Sequence, residues 1–197
     1  GQICAEAPGL LLLLDPKALA HVGCGLRISP DEWPQPGYFA QEIMNAIHSG
    51  EIKALFSICF NPAVSLPNAD FTREALEKLE FFAVTDFFLS ETARYADVVL
   101  AGSLQEEEEG VTCSAEGRVI HIQRAVDPPA NARRDSEIIC DLARRLGKGK
   151  FFPFETPREI FNELREASRG GHADYYGITY EKIDAEMGVF WPCPTLD

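Results

Sequence analysis

Three short apolar runs in this chain each end on residues able to hold a polar ligand. Residues 54–59 lead into Asn61-Pro62-Ala63-Val64-Ser65, residues 81–85 end at Thr85-Asp86, and Val98-Val99-Leu100 leads into Ala101-Gly102-Ser103. Asn61 brings a donor and an acceptor, Ser65 and Ser103 bring hydroxyls, and Gly102 lets a bound group approach the backbone. Asp86 is an acceptor whose complement is the N–H edge of a purine such as guanine. The same residues have a plainer use: Asn-Pro is a common turn, and an aspartate that ends a strand often caps the next helix. The chain has neither a G-x-G-x-x-G nor a P-loop pattern, which disfavours a standard dinucleotide or nucleoside triphosphate site.

Other chemistry is thinly represented. His21, His48, His121 and His172 have no metal spacing between them, and none of the six cysteines falls in a C-x-x-C pair. The acidic run Glu106 to Glu109 is expected to be a loop with one structural glutamate and the rest solvated. No serine or cysteine sits in a nucleophile-and-base pattern, so no catalytic residue and no metal ligand is assigned. With 18 basic and 31 acidic side chains the net charge is −13, a field that repels nucleic acid and anionic lipid. The longest apolar run, Leu10 to Leu14, is far short of the roughly 20 residues that span a membrane. Scattered cysteines in apolar stretches suit buried thiols and a cytoplasmic setting.

The elements that must position these residues follow from periodicity. Residues 1–36, rich in Gly and Pro, are expected to be a connecting segment or the edge of a preceding domain. Phe39, Ile43, Ala46 and Ile47 share a helical face ending at Gly50, and Asp70 is the expected N-cap of a helix carrying Phe71, Ala75, Leu76 and Leu79. With the apolar runs between them, and a short helix around residues 90–95, this gives strand, helix, strand, helix, strand. That order implies an α/β fold: a parallel, Rossmann-like sheet with helices on both faces. In such sheets ligands bind beyond the carboxyl ends of the strands, where Asn61, Thr85, Asp86 and Gly102 fall.

A hairpin is expected around Glu116-Gly117, then a helix carrying Ile138, Ile139, Leu142, Ala143 and Leu146 and stopped by Gly147. Thr156-Pro157-Arg158-Glu159 reads as a capping box with proline at the first helical position. The tail from residue 168 reads as aromatic and loop-like. The expected division is 37–150 for the α/β domain and 151–197 for a helical and loop extension.

Particular motifs go further. Asn61-Pro62-Ala63-Val64-Ser65, Asp86-Phe87-Phe88-Leu89-Ser90-Glu91-Thr92-Ala93, Tyr95-Ala96-Asp97-Val98-Val99-Leu100, Glu116-Gly117-Arg118, Arg134-Asp135 and Ala143-Arg144-Arg145-Leu146-Gly147 occur in one order. Together they resemble the molybdopterin oxidoreductase family over residues 37–147. The tail motifs Tyr176-Gly177-Ile178-Thr179-Tyr180-Glu181 and Trp191-Pro192-Cys193 resemble its prokaryotic formate dehydrogenases and assimilatory nitrate reductases. Ala101, Ser114 and Ile120 stand where the family usually has proline, asparagine and glutamine.

The resemblance implies an α/β domain that cradles the guanosine end of one of two molybdopterin guanine dinucleotides. Asn61, Ser65, Thr85, Gly102 and Asp135 match cofactor-contacting positions, and Asp86 is added as a guanine-side candidate. It further implies a parent catalytic subunit of nitrate reductase or formate dehydrogenase type. Such a subunit holds molybdenum or tungsten and a 4Fe-4S cluster through other domains, and passes electrons to a partner. The alternative is a stand-alone, non-catalytic binding or scaffold domain that keeps the fold. Because clustered cysteines are lacking, the purified chain is expected to carry neither iron nor molybdenum; near-stoichiometric metal in elemental analysis would contradict this.

Overall fold

The computed structural model describes residues 37–129 and 131–197; the expected connecting segment 1–36 lies outside the described residues. Two compact units emerge, one from residues 37–107 and 126–147, the other from residues 108–125 and 148–197. The hairpin therefore groups with the C-terminal residues and not with the parallel sheet.

The first unit is built as periodicity requires. Helix α1 (Ala40–His48) buries Met44, Ala46 and Ile47, and Glu42 accepts the Phe39 N–H at 2.8 Å to close its first turn. Strand β1 (Ala54–Ile58) follows, then the short turn α2 (Pro62–Ser65) and helix α3 (Ala69–Glu77). The N-cap of α3 is Asn68, not Asp70: Asn68 adopts a left-handed φ of 56°, which asparagine tolerates, and its side chain accepts the Phe71 N–H. His48 stacks on Phe71 with ring centroids 3.9 Å apart and reaches the Phe71 carbonyl at 2.9 Å, joining α1 to α3.

Strand β2 (Phe81–Asp86) is central in a three-stranded parallel sheet between β1 and β3 (Val98–Ala101). Phe82 and Val84 pack with Ala63, Leu76 and Ala93 in the core. The segment expected as a short helix is a 3₁₀ turn, Thr92–Tyr95. Full burial of the apolar runs holds for much of β2 and not for β3, where Val98 and Val99 are 40% and 41% exposed; β3 is an edge strand of this sheet. Helix α4 (Asp135–Arg145) completes the unit.

The second unit is antiparallel. Strands β4 (Gly110–Cys113) and β5 (Arg118–Ile122) form the expected hairpin, with Gly117 at φ 87° in its turn. The Ser114 hydroxyl accepts the Arg118 N–H at 3.2 Å across that turn. Helix α5 (Pro157–Ser168) carries the capping box: Thr156 accepts the Glu159 N–H, and Glu159 accepts the N–H groups of Glu155 and Thr156. Those two N–H bonds hold the Glu159 carboxyl below its ordinary range.

The tail is more ordered than expected. Thr179 caps helix α6 (Tyr180–Glu186), and strand β6 (Val189–Phe190) pairs with β5. Val119, Phe161, Tyr175, Ile178, Tyr180, Ile183 and Val189 share one core, which is why the hairpin belongs with the C-terminal residues. No described helix is long and apolar enough to cross a membrane.

Gly177 locks the tail. Its N–H donates to the Cys193 carbonyl at 2.7 Å, and a Cβ there would lie 1.8 Å from the Thr195 carbonyl oxygen. Gly177→Ala should therefore cost about 3 kcal/mol or more, since backbone must move. Gly147→Ala, at φ 73° with open space around it, should cost only the left-handed penalty of roughly 1–2 kcal/mol. Urea unfolding followed by circular dichroism checks both.

Candidate ligand-binding site

The parallel register sets the site. Ile58 lies opposite Thr85, and Asp86 opposite Ala101, so the three strands end at nearly one level. Past those ends the chain is stitched across the edge: the Cys59 N–H donates to the Thr85 carbonyl at 2.8 Å and the Gly102 N–H to the Asp86 carbonyl at 3.2 Å. Gly102 also forms a parallel bridge with Arg133, whose N–H donates to the Ala101 carbonyl at 3.0 Å. That bridge delivers Asp135, the first residue of α4, to the same place.

Thr85, Gly102 and Asp135 converge. A Cβ on Gly102 would sit 2.8 Å from Asp135 Oδ1 and 3.1 Å from Thr85 Cγ2, so only glycine leaves that space. Both Thr85 Oγ1 and Asp135 Oδ1 are buried and lack a hydrogen-bond partner among the described residues. Such atoms are costly to leave unpaired, on the order of 1–3 kcal/mol each, and a hydroxyl beside a carboxylate oxygen suits a ligand rich in N–H or O–H groups. The other carboxylate oxygen, Oδ2, accepts from the Cys59 thiol at 3.2 Å.

Of the remaining candidates, Asn61 and Asp86 also hold the local frame. Asn61 Oδ1 accepts the Thr92 hydroxyl at 2.6 Å and the Thr92 N–H at 3.2 Å, while its amide donates to Glu91 at 2.9 Å. That donation is the main reason the Glu91 carboxyl lies below its ordinary range. Thr92, fully buried, in turn accepts the Ala63 N–H at 3.0 Å. Asn61 thus ties the β1–α2 turn to the 3₁₀ turn.

Ser65 is exposed at the end of α2. Asp86 has the plainer use: Oδ1 accepts the Phe88 N–H at 3.2 Å and Oδ2 the Ser90 hydroxyl at 3.0 Å, closing the loop after β2. Residue types alone do not single out Cys59, Glu91 or Thr92. Cys59 is detectable only as the residue directly after a strand, and its φ of 49° is invisible without the fold.

Elsewhere, Glu107 is the structural glutamate of the acidic run, accepting the Leu104 N–H at 2.9 Å. The expectation that the others are solvated fails at Glu109, which meets His121 Nε2 at 3.2 Å, while Asp184 meets Nδ1 at 2.7 Å. Burial first, then the negative charge of Glu109, pushes the neighbouring Tyr180 hydroxyl above its ordinary value. Among the described residues no group of three or more His, Cys, Asp or Glu side chains is arranged to hold a metal ion.

The family model for molybdopterin oxidoreductases matches residues 17–145. Over its full length the chain is 47% identical to the assimilatory nitrate reductase catalytic subunit of Bacillus subtilis, of which it covers 28%. It is 37% identical over 147 residues, 75% of its length, to the F420-dependent formate dehydrogenase 1 subunit alpha of Methanococcus maripaludis, of which it covers 21%. The chain thus spans well under a third of these relatives. The solved structure of acetylene hydratase from Pelobacter acetylenicus superposes with a TM-score of 0.60 at 22% identity, covering 74% of this chain and 20% of that one. This last is a likeness of fold.

The Thr92 hydroxyl is the hub of the frame. Thr92→Val keeps the shape but leaves the Ala63 N–H and one Asn61 acceptor position unpaired, and should destabilise the chain by about 2 kcal/mol. Thermal and urea unfolding measure it; a change within experimental error would mean the network contributes nothing.

Proposed function

Since the chain belongs to the molybdopterin oxidoreductase family, we propose that it holds the guanosine end of one molybdopterin guanine dinucleotide within a larger oxidoreductase catalytic subunit. The observation that supports this reading most is the pair of buried, unpartnered oxygens, Thr85 Oγ1 and Asp135 Oδ1, beside Gly102 at the carboxyl edge of the parallel sheet. Ligands of open parallel sheets bind at that edge. Guanine offers an N1–H and an exocyclic amine on one side, a donor pair that a carboxylate oxygen accepts. Adenine has a bare ring nitrogen at N1 and would leave Asp135 facing another acceptor.

The division of labour is then clear. When bound, the cofactor supplies the redox centre; this chain's residues bind and orient its nucleotide end. Asp135 accepts the base N–H groups, Thr85 supplies a hydroxyl beside it, and Gly102 makes room. Asn61, Thr92 and Asp86 keep the strand-end loops in place. Nitrate and formate are the substrates suggested by the relatives' names, and a parent enzyme of either type fits the proposal. The rest of the subunit would carry the metal ligand and the iron–sulfur cluster, with an electron-transfer protein as partner. A cytoplasmic setting belongs to the same proposal, in keeping with six cysteines scattered through the sequence outside any paired motif.

NMR titration of the chain with GMP and AMP tests the reading. Guanine should be preferred by roughly tenfold or more, the equivalent of one buried polar mismatch. Shifts should centre on Thr85, Gly102 and Asp135, and Asp135→Ala should erase the preference. Absolute affinity should be weak, because the net charge of −13 opposes the phosphate. Equal responses to both nucleotides, or shifts confined elsewhere, would refute it.

A further inference from the structure

We propose that Cys59 is a positioning residue that fixes the torsion of the Asp135 carboxylate, and so the direction in which its other oxygen is presented. A carboxylate rotates about its last bond, and a donor held on one oxygen restricts that rotation and so aims the other. Cys59 is that donor: its thiol lies 3.2 Å from Asp135 Oδ2, while Oδ1 stays buried and unpartnered beside Gly102. The two residues are 76 positions apart in sequence, so the contact is made entirely by the fold.

The backbone supports the same assignment. Cys59 leaves β1 at a left-handed φ of 49°, and its N–H is fixed on the Thr85 carbonyl. Non-glycine residues rarely take that conformation. Here it comes directly after β1, with the thiol on the Asp135 carboxylate. Thr85 contributes twice, through the carbonyl that anchors Cys59 and through its own buried, unpartnered hydroxyl.

The ligand side of this proposal rests on the guanosine reading; the contact with Asp135 does not, and the experiment separates them. Cys59→Ala keeps a Cβ and the same backbone penalty while removing the thiol donor on Asp135, whereas Cys59→Ser restores a donor. The affinity of the full chain for GMP should fall about three- to tenfold in Cys59→Ala and return to within about twofold in Cys59→Ser, as expected for one hydrogen bond to a charged acceptor. Equal affinity in wild type and Cys59→Ala would overturn the positioning role, and so would a Cys59→Ser variant as weak as Cys59→Ala.

A second readout needs no ligand. The infrared S–H stretching band of Cys59, isolated by subtracting the Cys59→Ser spectrum, should move to higher frequency in Asp135→Ala as its acceptor is lost. An unmoved band would remove the contact itself. If wild type binds no GMP while the band moves as expected, the guanosine reading fails, and the role of Cys59 toward that ligand goes with it.

Discussion

The shared level at which β1, β2 and β3 end is the constraint on which the site depends. Parallel strands in register place Ile58 opposite Thr85 and Asp86 opposite Ala101, so the residues just beyond them cannot avoid one another. Backbone groups at a sheet end have lost their ladder partners and must find others. Here they do so by pairing across the edge: Cys59 with Thr85, Gly102 with Asp86, and Arg133 with Ala101. The need to satisfy the main chain assembles the polar side chains.

Within that frame the side chains divide by whether their hydrogen-bonding capacity is already used. Asn61, Asp86 and Thr92 are engaged by neighbours in the same loops, and they give the edge its shape. Thr85 and Asp135 each keep one buried oxygen without a partner. A protein interior rarely retains such atoms without a reason, and both residues close on Gly102, where a Cβ would lie 2.8 Å from Asp135 Oδ1 and 3.1 Å from Thr85 Cγ2. The physical tasks of the two groups differ.

The second unit rests on different physics. Its core joins the hairpin to the last 50 residues through Val119, Phe161, Ile178, Tyr180 and Ile183, and Gly177 lets the tail backbone close against Cys193 and Thr195. His121, largely buried, faces carboxylates on both ring nitrogens. The interaction draws Glu109 out of the acidic run and gives it a structural partner.

Local features were legible from the sequence because they depend on residues within a turn or two. The three strands, the hairpin at Gly117 and the Thr156–Glu159 capping box all follow from periodicity and nearest-neighbour hydrogen bonding. The strand-end position of Thr85 and Gly102 was equally plain, and the family resemblance added Asp135, which spacing alone would not have reached. The helix and strand of the tail were not legible, because Tyr180, Ile183 and Val189 gain their meaning only against Val119 and Phe161.

Tertiary structure alone decided which polar atoms remain available. By residue type Asp86 shows no partner; in the fold its two oxygens each accept one bond, from the Phe88 N–H and the Ser90 hydroxyl. Asp135 comes into place through the Gly102–Arg133 bridge, and Cys59 joins it across 76 residues. Availability is a difference between an atom's bonding capacity and the partners the fold brings to it, and those partners lie far beyond the reach of local pattern.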